Sequence, residues 1–283
     1  IKSNSEQRRE GVELTMRWSD TTPRKFTYEV GFNMTYFNSL WKVKADEALS
    51  DLMNPYKRQT HQTDYYGLGY IDTGLYQNKE DILNSPRRLG STQTKLGDIG
   101  YTDVNGDGKI DGEDQVRIGK PTMPHFTYAF DFSLGYEGFT LSGLLYGTGE
   151  RYMTFGNRYQ SGEGKYLYYE NQLNYWRPDN TGADFPRISI SSGVNGNNNK
   201  AGSTFWMRNA SYLRLKDLQL SYDFKYKYLK KCDWLQTCRV NLSGSNLFTI
   251  SGVSKFFDPE TSSTSGDGYP VQRVYSIGVT IGF

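Results

Sequence analysis

A run of oxygen-bearing side chains between Asp103 and Asp114 has the spacing of a calcium-binding loop. Gly108 takes the sixth position, where loops of the EF-hand type turn sharply. Oxygen donors at alternate positions of such a loop wrap a hard cation, so the spacing predicts a structural Ca²⁺ site. The predicted ligands, at positions 1, 3, 5, 7, 9 and 12, are Asp103, Asn105, Asp107, the backbone carbonyl of Lys109, Asp111 and Asp114.

Asp114 departs from the usual pattern, because position 12 of an EF-hand loop normally carries a bidentate Glu. Its shorter arm is typical of dockerin-like variants. No flanking pair of helices is apparent, so the loop is expected to be a structural clip and not a sensor. An acidic turn that binds no metal would use the same residue types, and this alternative stays open.

Other residues with reactive side chains are few. Cys232 and Cys238 flank a predicted turn and could pair in an oxidising compartment, but they lack the His neighbours that a metal site would need. His61 and His125 are far apart in the sequence. No Ser/His/Asp set, nucleophile-elbow motif or phosphate-binding loop appears, so the sequence predicts no enzymatic activity.

Six aromatic residues lie in long polar regions, where their ring faces could stack on sugar rings or on peptide side chains. Packing within the loops, or a place at a membrane interface, would account for the same residues. They are candidate substrate contacts only: Tyr65, Tyr66, Tyr76, Tyr168, Tyr169 and Trp176.

Composition limits the class of protein. The chain has 283 residues, and its 33 Lys and Arg nearly balance its 31 Asp and Glu, so no charge excess favours nucleic acid as a partner. It contains 23 Tyr, 15 Phe and 30 Gly, while its mean hydropathy is only −0.70. No run of about 18 apolar residues predicts a membrane-spanning helix. This composition is typical of alternating β-strands joined by long polar loops.

The strands are predicted from alternation of apolar and polar residues. In the final stretch, Val271–Phe283, every second residue from Tyr275 onward is a large apolar one and the residues between are mostly small or polar. Six earlier stretches alternate in a similar way, and a slip of the pattern at Asp217 predicts a β-bulge. They cover residues 12–18, 26–36, 126–136, 139–149, 206–224 and 239–248.

The connections between the seven predicted strands alternate between short and long. Short turns on one side and long loops on the other are typical of outer-membrane β-barrels, whose strands need about 9–11 residues to cross the membrane. Such barrels have an even number of strands, so we expect further strands upstream. A soluble, calcium-stabilised β-sandwich that serves as a cell-surface binding module has similar alternation and stays the second interpretation.

Several motifs, in order along the chain, resemble the carboxy-terminal part of SusC-like (RagA-like) TonB-dependent transporters. The resemblance covers nearly the whole chain. The motifs are GVELTMRW at Gly11, GYIDTGLYQN at Gly69, GDIGYTDVNGDGKIDGEDQVRIGKPTMPHFTYAF at Gly97, RNASYLRLKDLQLSYDF at Arg208, SGSNLFTIS at Ser243, FDPE at Phe257 and the YSIGVTIGF ending.

The resemblance implies that residues 1–283 form the carboxy-terminal part of a plugged barrel of 22 strands in the outer membrane. It also implies extracellular long loops, a periplasmic carboxy-terminus and a plug domain outside these residues. The implied activity is import of oligosaccharides or peptides. The implied partners are outer-membrane lipid, a SusD-like surface lipoprotein, the TonB complex, which contacts the amino-terminal part, and a second SusCD pair in a dimer.

Overall fold

The computed structural model describes residues 4–64, 66–119, 123–160, 168–189, 194–261, 264–265, 268–269 and 271–283. Seven long strands form an antiparallel sheet in which each strand pairs with the next one along the chain. The strands are β1 Glu6–Thr21, β2 Thr27–Val43, β3 Phe126–Tyr136, β4 Phe139–Gly149, β5 Tyr212–Asp223, β6 Thr237–Ser251 and β7 Val274–Gly282. The predicted all-β class and the number of long strands are confirmed.

Short turns join the strands at one end of the sheet. The β3–β4 hairpin has two residues, Glu137 and Gly138, with φ of 48° and 85°. Positive φ at both positions gives a turn whose twist matches that of the flanking strands. In the β1–β2 turn, the backbone N–H of Thr22 donates to the carbonyl of Phe26 over 2.8 Å. The third connection at this end, residues 224–236, begins with the 3-10 helix Phe224–Tyr226.

The predicted bulge lies where β5 contacts both of its neighbours. The register shifts between Leu144 and Leu145 of β4, and between Leu215 and Asp217 of β5. The inserted residue is Lys216, next to the predicted position. Because one extra residue changes the face of every later side chain, the bulge returns Leu218 to the face of Leu215.

Three long connections, residues 44–125, 150–211 and 252–273, leave the opposite end of the sheet. Their described residues include three short helices, α1 Leu49–Met53, α2 Lys79–Asn84 and α3 Asn157–Gln160. They also hold the 3-10 helices Gly112–Asp114, Glu170–Leu173, Val194–Lys200 and Thr204–Trp206. Their short strands are Gln62–Thr63, Gly67–Gly69, Asp72–Leu75, Arg87–Arg88, Ile99–Tyr101, Lys109–Ile110, Val116–Ile118, Tyr152–Thr154 and Met207–Asn209.

The buried hydrophobic core lies among these connections and not within the sheet. Trp206 and Val253 are completely buried there, and Phe155 and Ile99 are 1% exposed. These four residues come from all three long connections, and we call their cluster the loop core. Its remaining members are Tyr70, Tyr101, Ile110, Met153, Tyr159, Phe185, Ala210 and Phe257.

Within the described part of the chain, no helix has both the length and the apolar character needed to cross a membrane.

Candidate functional site

All seven long strands direct most of their large apolar residues to one side of the sheet. Met16 pairs with Phe32, and Phe32 pairs with Phe130. Directly opposed residues of antiparallel strands share a face, so Met16, Phe32 and Phe130 form the start of a row of apolar residues that crosses the sheet. It continues through Leu145, Leu215 and Phe248. We call this side the apolar face and the opposite side the polar face.

Small residues on the apolar face make room for rings on the neighbouring strand. A Cβ atom at Gly147 would lie 2.5 Å from the ring of Tyr128, and one at Gly143 would lie 2.7 Å from the ring of Phe132. Such close approach is open to glycine alone. The glycines therefore let the aromatic rings of β3 lie across β4.

The apolar face is exposed within the described residues. Trp18 of β1 is 65% exposed and Ile277 of β7 is 74% exposed, whereas Trp206 of the loop core is completely buried. Contiguous apolar surface on this scale marks an interaction with another protein or with a membrane. The molecule thus places one group of large apolar residues in a core and a second group on an outer surface.

Charged residues on the polar face pair with one another across strands. Arg17 of β1 lies 2.6 Å from a carboxylate oxygen of Glu29 and 3.5 Å from one of Asp131. A Cβ at Gly31 would lie 2.4 Å from Asp131, so the glycine makes room for that carboxylate. All three charged side chains are partly exposed, and such pairs contribute little to stability. Their importance is positional, because they give this face a hydrophilic lining.

A buried arginine holds the third long connection against the polar face. Arg214 of β5 is 1% exposed and its Nη2 and Nη1 each lie 2.5 Å from a carboxylate, of Asp258 and Glu260 respectively. Its Nε donates to Thr249 over 2.8 Å. Tyr212 donates its hydroxyl proton to Glu260 over 2.7 Å. We call Arg214, Asp258 and Glu260 the arginine clamp.

The clamp also determines the charge state of Glu260. Burial by itself would raise the pKa of this carboxyl group. Hydrogen bonds from Tyr212 and Lys216 and the charge of Arg214 outweigh that effect, so the pKa lies below its ordinary value of 4.5. Glu260 is therefore ionised at neutral pH. The sequence shows Arg214 on the polar side of β5, but we did not predict the clamp, because its carboxylates lie 44 and 46 residues further along the chain.

The predicted calcium loop adopts the turn that its sequence suggests. Gly108 has φ of 81°, and Asp103 accepts hydrogen bonds from the N–H groups of Gly106 and Gly108 over 2.7 and 2.8 Å. Asp114 is completely buried and accepts the N–H of Val104 over 2.9 Å. Its other oxygen accepts the N–H of Asp111, which closes the loop.

These contacts leave the predicted metal untested. Asn105, Asp107 and Asp111 each accept an N–H group from two residues further on, as in an ordinary Asx turn. Among the described residues, no three His, Cys, Asp or Glu side chains converge in an arrangement that would hold a metal ion. The backbone of the loop thus has a conformation that suits Ca²⁺, but its carboxylates do not converge on one point. Binding of Ca²⁺ therefore stays a prediction.

The candidate substrate-contacting aromatics occupy different environments. Tyr76 and Trp176 are each 8% exposed. The indole of Trp176 donates to Gln77 over 2.8 Å, and a Cβ at Gly97 would lie 2.4 Å from its ring. These two aromatics therefore pack inside the loops, and Tyr76 also lines a small cavity there. Tyr65 lies outside the described residues.

The remaining three aromatic candidates lie nearer the surface. Tyr66 is 36% exposed and the guanidinium of Arg117 lies 4.8 Å from its ring centre, beside a cleft of about 480 Å³. Tyr168 is also 36% exposed. Tyr169 is half-buried against Tyr159, with ring centres 5.0 Å apart. The structure does not gather the five described candidates into one binding site.

The cysteines and His125 also have defined surroundings. Cys232 and Cys238 are both free thiols. His125, just before β3, is buried at the edge of the rings of Tyr36 and Phe37, with centres 6.4 and 5.5 Å away. Burial lowers the pKa of His125, although Glu150 opposes this effect, so the imidazole is neutral at neutral pH.

Comparison with curated proteins finds two relatives in Formosa agariphila. The chain is similar to TonB-dependent receptor P3, with 26% identity over 307 aligned positions that cover 100% of the chain and 29% of that protein. It is also similar to TonB-dependent receptor P26, with 26% identity over 228 positions that cover 74% of the chain and 22% of that protein. The chain therefore spans less than a third of the length of either relative. No protein-family model matches it.

Comparison with solved structures establishes the fold. A structure of the RagAB peptide transporter matches 99% of the chain with a TM-score of 0.69 and 20% sequence identity, and the match covers 30% of the RagAB chain. The RagAB peptide importer in the closed-closed state matches 98% of the chain, with the same TM-score and 21% identity. The two-faced sheet and its packed connections are thus a fold that occurs within a larger transporter chain.

Proposed function

We propose that this chain, a relative of TonB-dependent receptors and of SusC-like (RagA-like) transporters, forms part of the wall of an outer-membrane importer. The observation that carries the proposal is the apolar face, which seven neighbouring strands share. Each strand has at least 9 residues, the minimum that a tilted strand needs to cross the hydrocarbon layer. The apolar face would contact lipid, and the polar face would line the lumen.

The proposed cargo is a nutrient that is too large for porins, either an oligosaccharide or a peptide. The RagAB structures are described as a peptide transporter and importer, which supports the peptide alternative. We propose that the full-length protein works with a SusD-like surface lipoprotein, in pairs that form dimers, and takes its energy from TonB. The named relatives are receptors and transporters, which agrees with a non-enzymatic role.

The alternative of a soluble β-sandwich is less well supported. In a sandwich, a second sheet packs on the apolar face of the first. Met16, Trp18 and Ile277 are all more than half exposed, so no second sheet in the described residues covers them.

Fractionation of cells that make the full-length protein tests this proposal. The protein should stay with the outer membrane after a high-salt wash and enter solution only with detergent. Uptake of its cargo should stop when TonB is deleted. A full-length protein that is released by salt alone would refute the transporter function.

We also propose that residues 103–114 bind a structural Ca²⁺ ion. The support is the left-handed Gly108 at the turn and the closure of the loop by the buried Asp114. Small side-chain rotations would have to bring Asp103, Asp107 and Asp111 towards the ion. Bound Ca²⁺ would neutralise the repulsion between these carboxylates and order the connection that leads into β3.

A further inference from the structure

A small polar cavity lies beside Arg88, between the first and second long connections. Its volume is about 230 Å³, and its walls come from the end of α2, the short strands Arg87–Arg88 and Ile99–Tyr101, and Asn198. Among the described residues that line it, two are arginines and none is acidic. We call it the Arg88 cavity. Its hydroxyl-rich wall distinguishes it from the more apolar cleft beside Tyr66.

Arg88 is half-buried, and two of its three nitrogen atoms lack the partners that buried charged donors normally have. Its Nε and Nη1 atoms are buried and have no hydrogen-bond partner among the described residues. Burial of charged donors is unfavourable unless they are paired, so such groups are nearly always hydrogen-bonded. The ring of Tyr70 lies 5.7 Å from the guanidinium carbon. A ring face offsets part of the charge, but it accepts no conventional hydrogen bond.

The neighbouring polar groups do not supply the missing acceptor. Tyr101 donates its hydroxyl proton to the carbonyl of Asn198 over 2.7 Å. Ser91 donates its hydroxyl proton to the side-chain oxygen of Asn198 over 3.3 Å. Burial raises the pKa of Tyr101 far above its usual value, so this residue cannot act as an anionic partner at neutral pH. The acceptor that suits Arg88 must therefore come from outside these residues.

We propose that the Arg88 cavity binds a carboxylate group of a larger ligand. The cavity is smaller than the roughly 300–1,000 Å³ that accommodates a drug-sized molecule, so it suits the end of a ligand. Arginine is the side chain best suited to a planar carboxylate, and the hydroxyl of Thr92 in the wall can add a hydrogen bond. Arg87, exposed at the rim, supplies a second positive charge.

The carboxylate could belong to the end of a peptide or to an acidic sugar. Binding of this carboxylate would be the recognition step of an importer, so the proposal rests on the proposed function. Binding can nevertheless be measured without transport. The fractionation experiment tests the location of the full-length protein. A titration of the purified protein tests the cavity, so the two proposals can fail separately.

The titration uses the detergent-purified full-length protein and two matched pairs of probes. One pair is N-acetyl-trialanine and its carboxamide, and the other is methyl glucuronide and methyl glucoside. In isothermal titration calorimetry at neutral pH, at least one acid should bind about tenfold or more tightly than its neutral counterpart. The pair that shows this preference identifies the source of the carboxylate.

Two substitutions locate the site. Arg88→Gln should remove the preference for the acid. Arg177→Gln is a matched control, because Arg177 also lies over a tyrosine ring, at 5.0 Å from Tyr175, but is exposed and paired with Asp179. It should leave the preference unchanged. Equal affinity for acid and neutral probe in both pairs, absence of binding by all four probes, or an unchanged preference in Arg88→Gln would each overturn the proposal.

Discussion

Met16→Arg tests directly whether the apolar face contacts lipid. Met16 lies in the central row of that face and is 52% exposed within the chain. Complete burial of a methionine side chain contributes about 1.5–3 kcal/mol, so loss of its buried half accounts for no more than about 1.5 kcal/mol. The aliphatic stem of an arginine would retain part of that contact. An arginine near the centre of the hydrocarbon layer costs about 2–4 kcal/mol more.

Thr15→Arg provides the matched control on the same strand. Thr15 points to the polar face, where its cross-strand partner is Asn33. An arginine there would face water or the lumen, so we expect a change below about 1 kcal/mol in the free energy of unfolding. The two substitutions introduce the same side chain one residue apart. Their difference therefore isolates the environment of the two faces.

The assay is reversible denaturant unfolding of the full-length protein in phosphatidylcholine vesicles, followed by tryptophan fluorescence. Phe130→Arg and Ala129→Arg on β3 repeat the comparison, because Phe130 lies in the same row as Met16. Met16→Arg should destabilise the protein by about 2 kcal/mol or more beyond Thr15→Arg. Equal penalties on the two faces, or the reverse order, would refute the lipid-facing assignment.

Three further predictions concern the loops and the end of the chain. Asp258→Asn should increase hydrogen exchange in the connection between β6 and β7, because it weakens the arginine clamp. The wild type should show the same increase as the pH falls below 4.5. The lowered pKa keeps Glu260 charged above that value, and protonation at lower pH removes the charge that pairs with Arg214. Unchanged exchange in either experiment would contradict the role of the clamp. Deletion of Phe283 should leave the protein synthesised but poorly assembled, measured as loss of heat-modifiable migration on gels, and normal migration would exclude a role in insertion. Chelation of Ca²⁺ on intact cells should increase proteolysis within residues 97–119 and restored Ca²⁺ should reverse it, whereas equal cleavage would indicate an acidic turn without metal.

Strict alternation made β3 and β4 predictable to the residue. Their stretches, Phe126–Tyr136 and Phe139–Gly149, contain no interruption and are joined by two residues that favour a tight turn. β1 begins at Glu6 and β2 ends at Val43, so both strands are longer than the apolar pattern predicts. The outer part of β1 is polar, as in the 2.6 Å ion pair between Glu6 and Lys42. The outer part of β2 does contain apolar residues such as Trp41, but the partner of Trp41 on β1 is Gln7, so no apolar pattern marks the extension of β1.

The loop core could not be predicted from local pattern. Phe155, Trp206 and Val253 contribute to one cluster from two different connections, without regular spacing in the sequence. Asn198 and Asn199 belong to a tract that looks like a polar loop, yet both are buried. Their side chains bond the carbonyl and the N–H of Ile99 over 2.8 and 2.9 Å. Only the fold brings these groups together, because about 100 residues separate them in the chain.

The two groups of apolar residues imply that the sheet and the loops are stabilised by different environments. The sheet keeps residues such as Met16 and Ile277 on its surface, so it depends on whatever surrounds it. The loops bury Trp206 within the chain, so their packing depends on their own contacts. Arg214 joins the two regions, because it belongs to β5 and pairs with Asp258 of the third connection. Removal of the surrounding lipid should therefore weaken the sheet first, and loss of the clamp should release the loops while the strands remain paired.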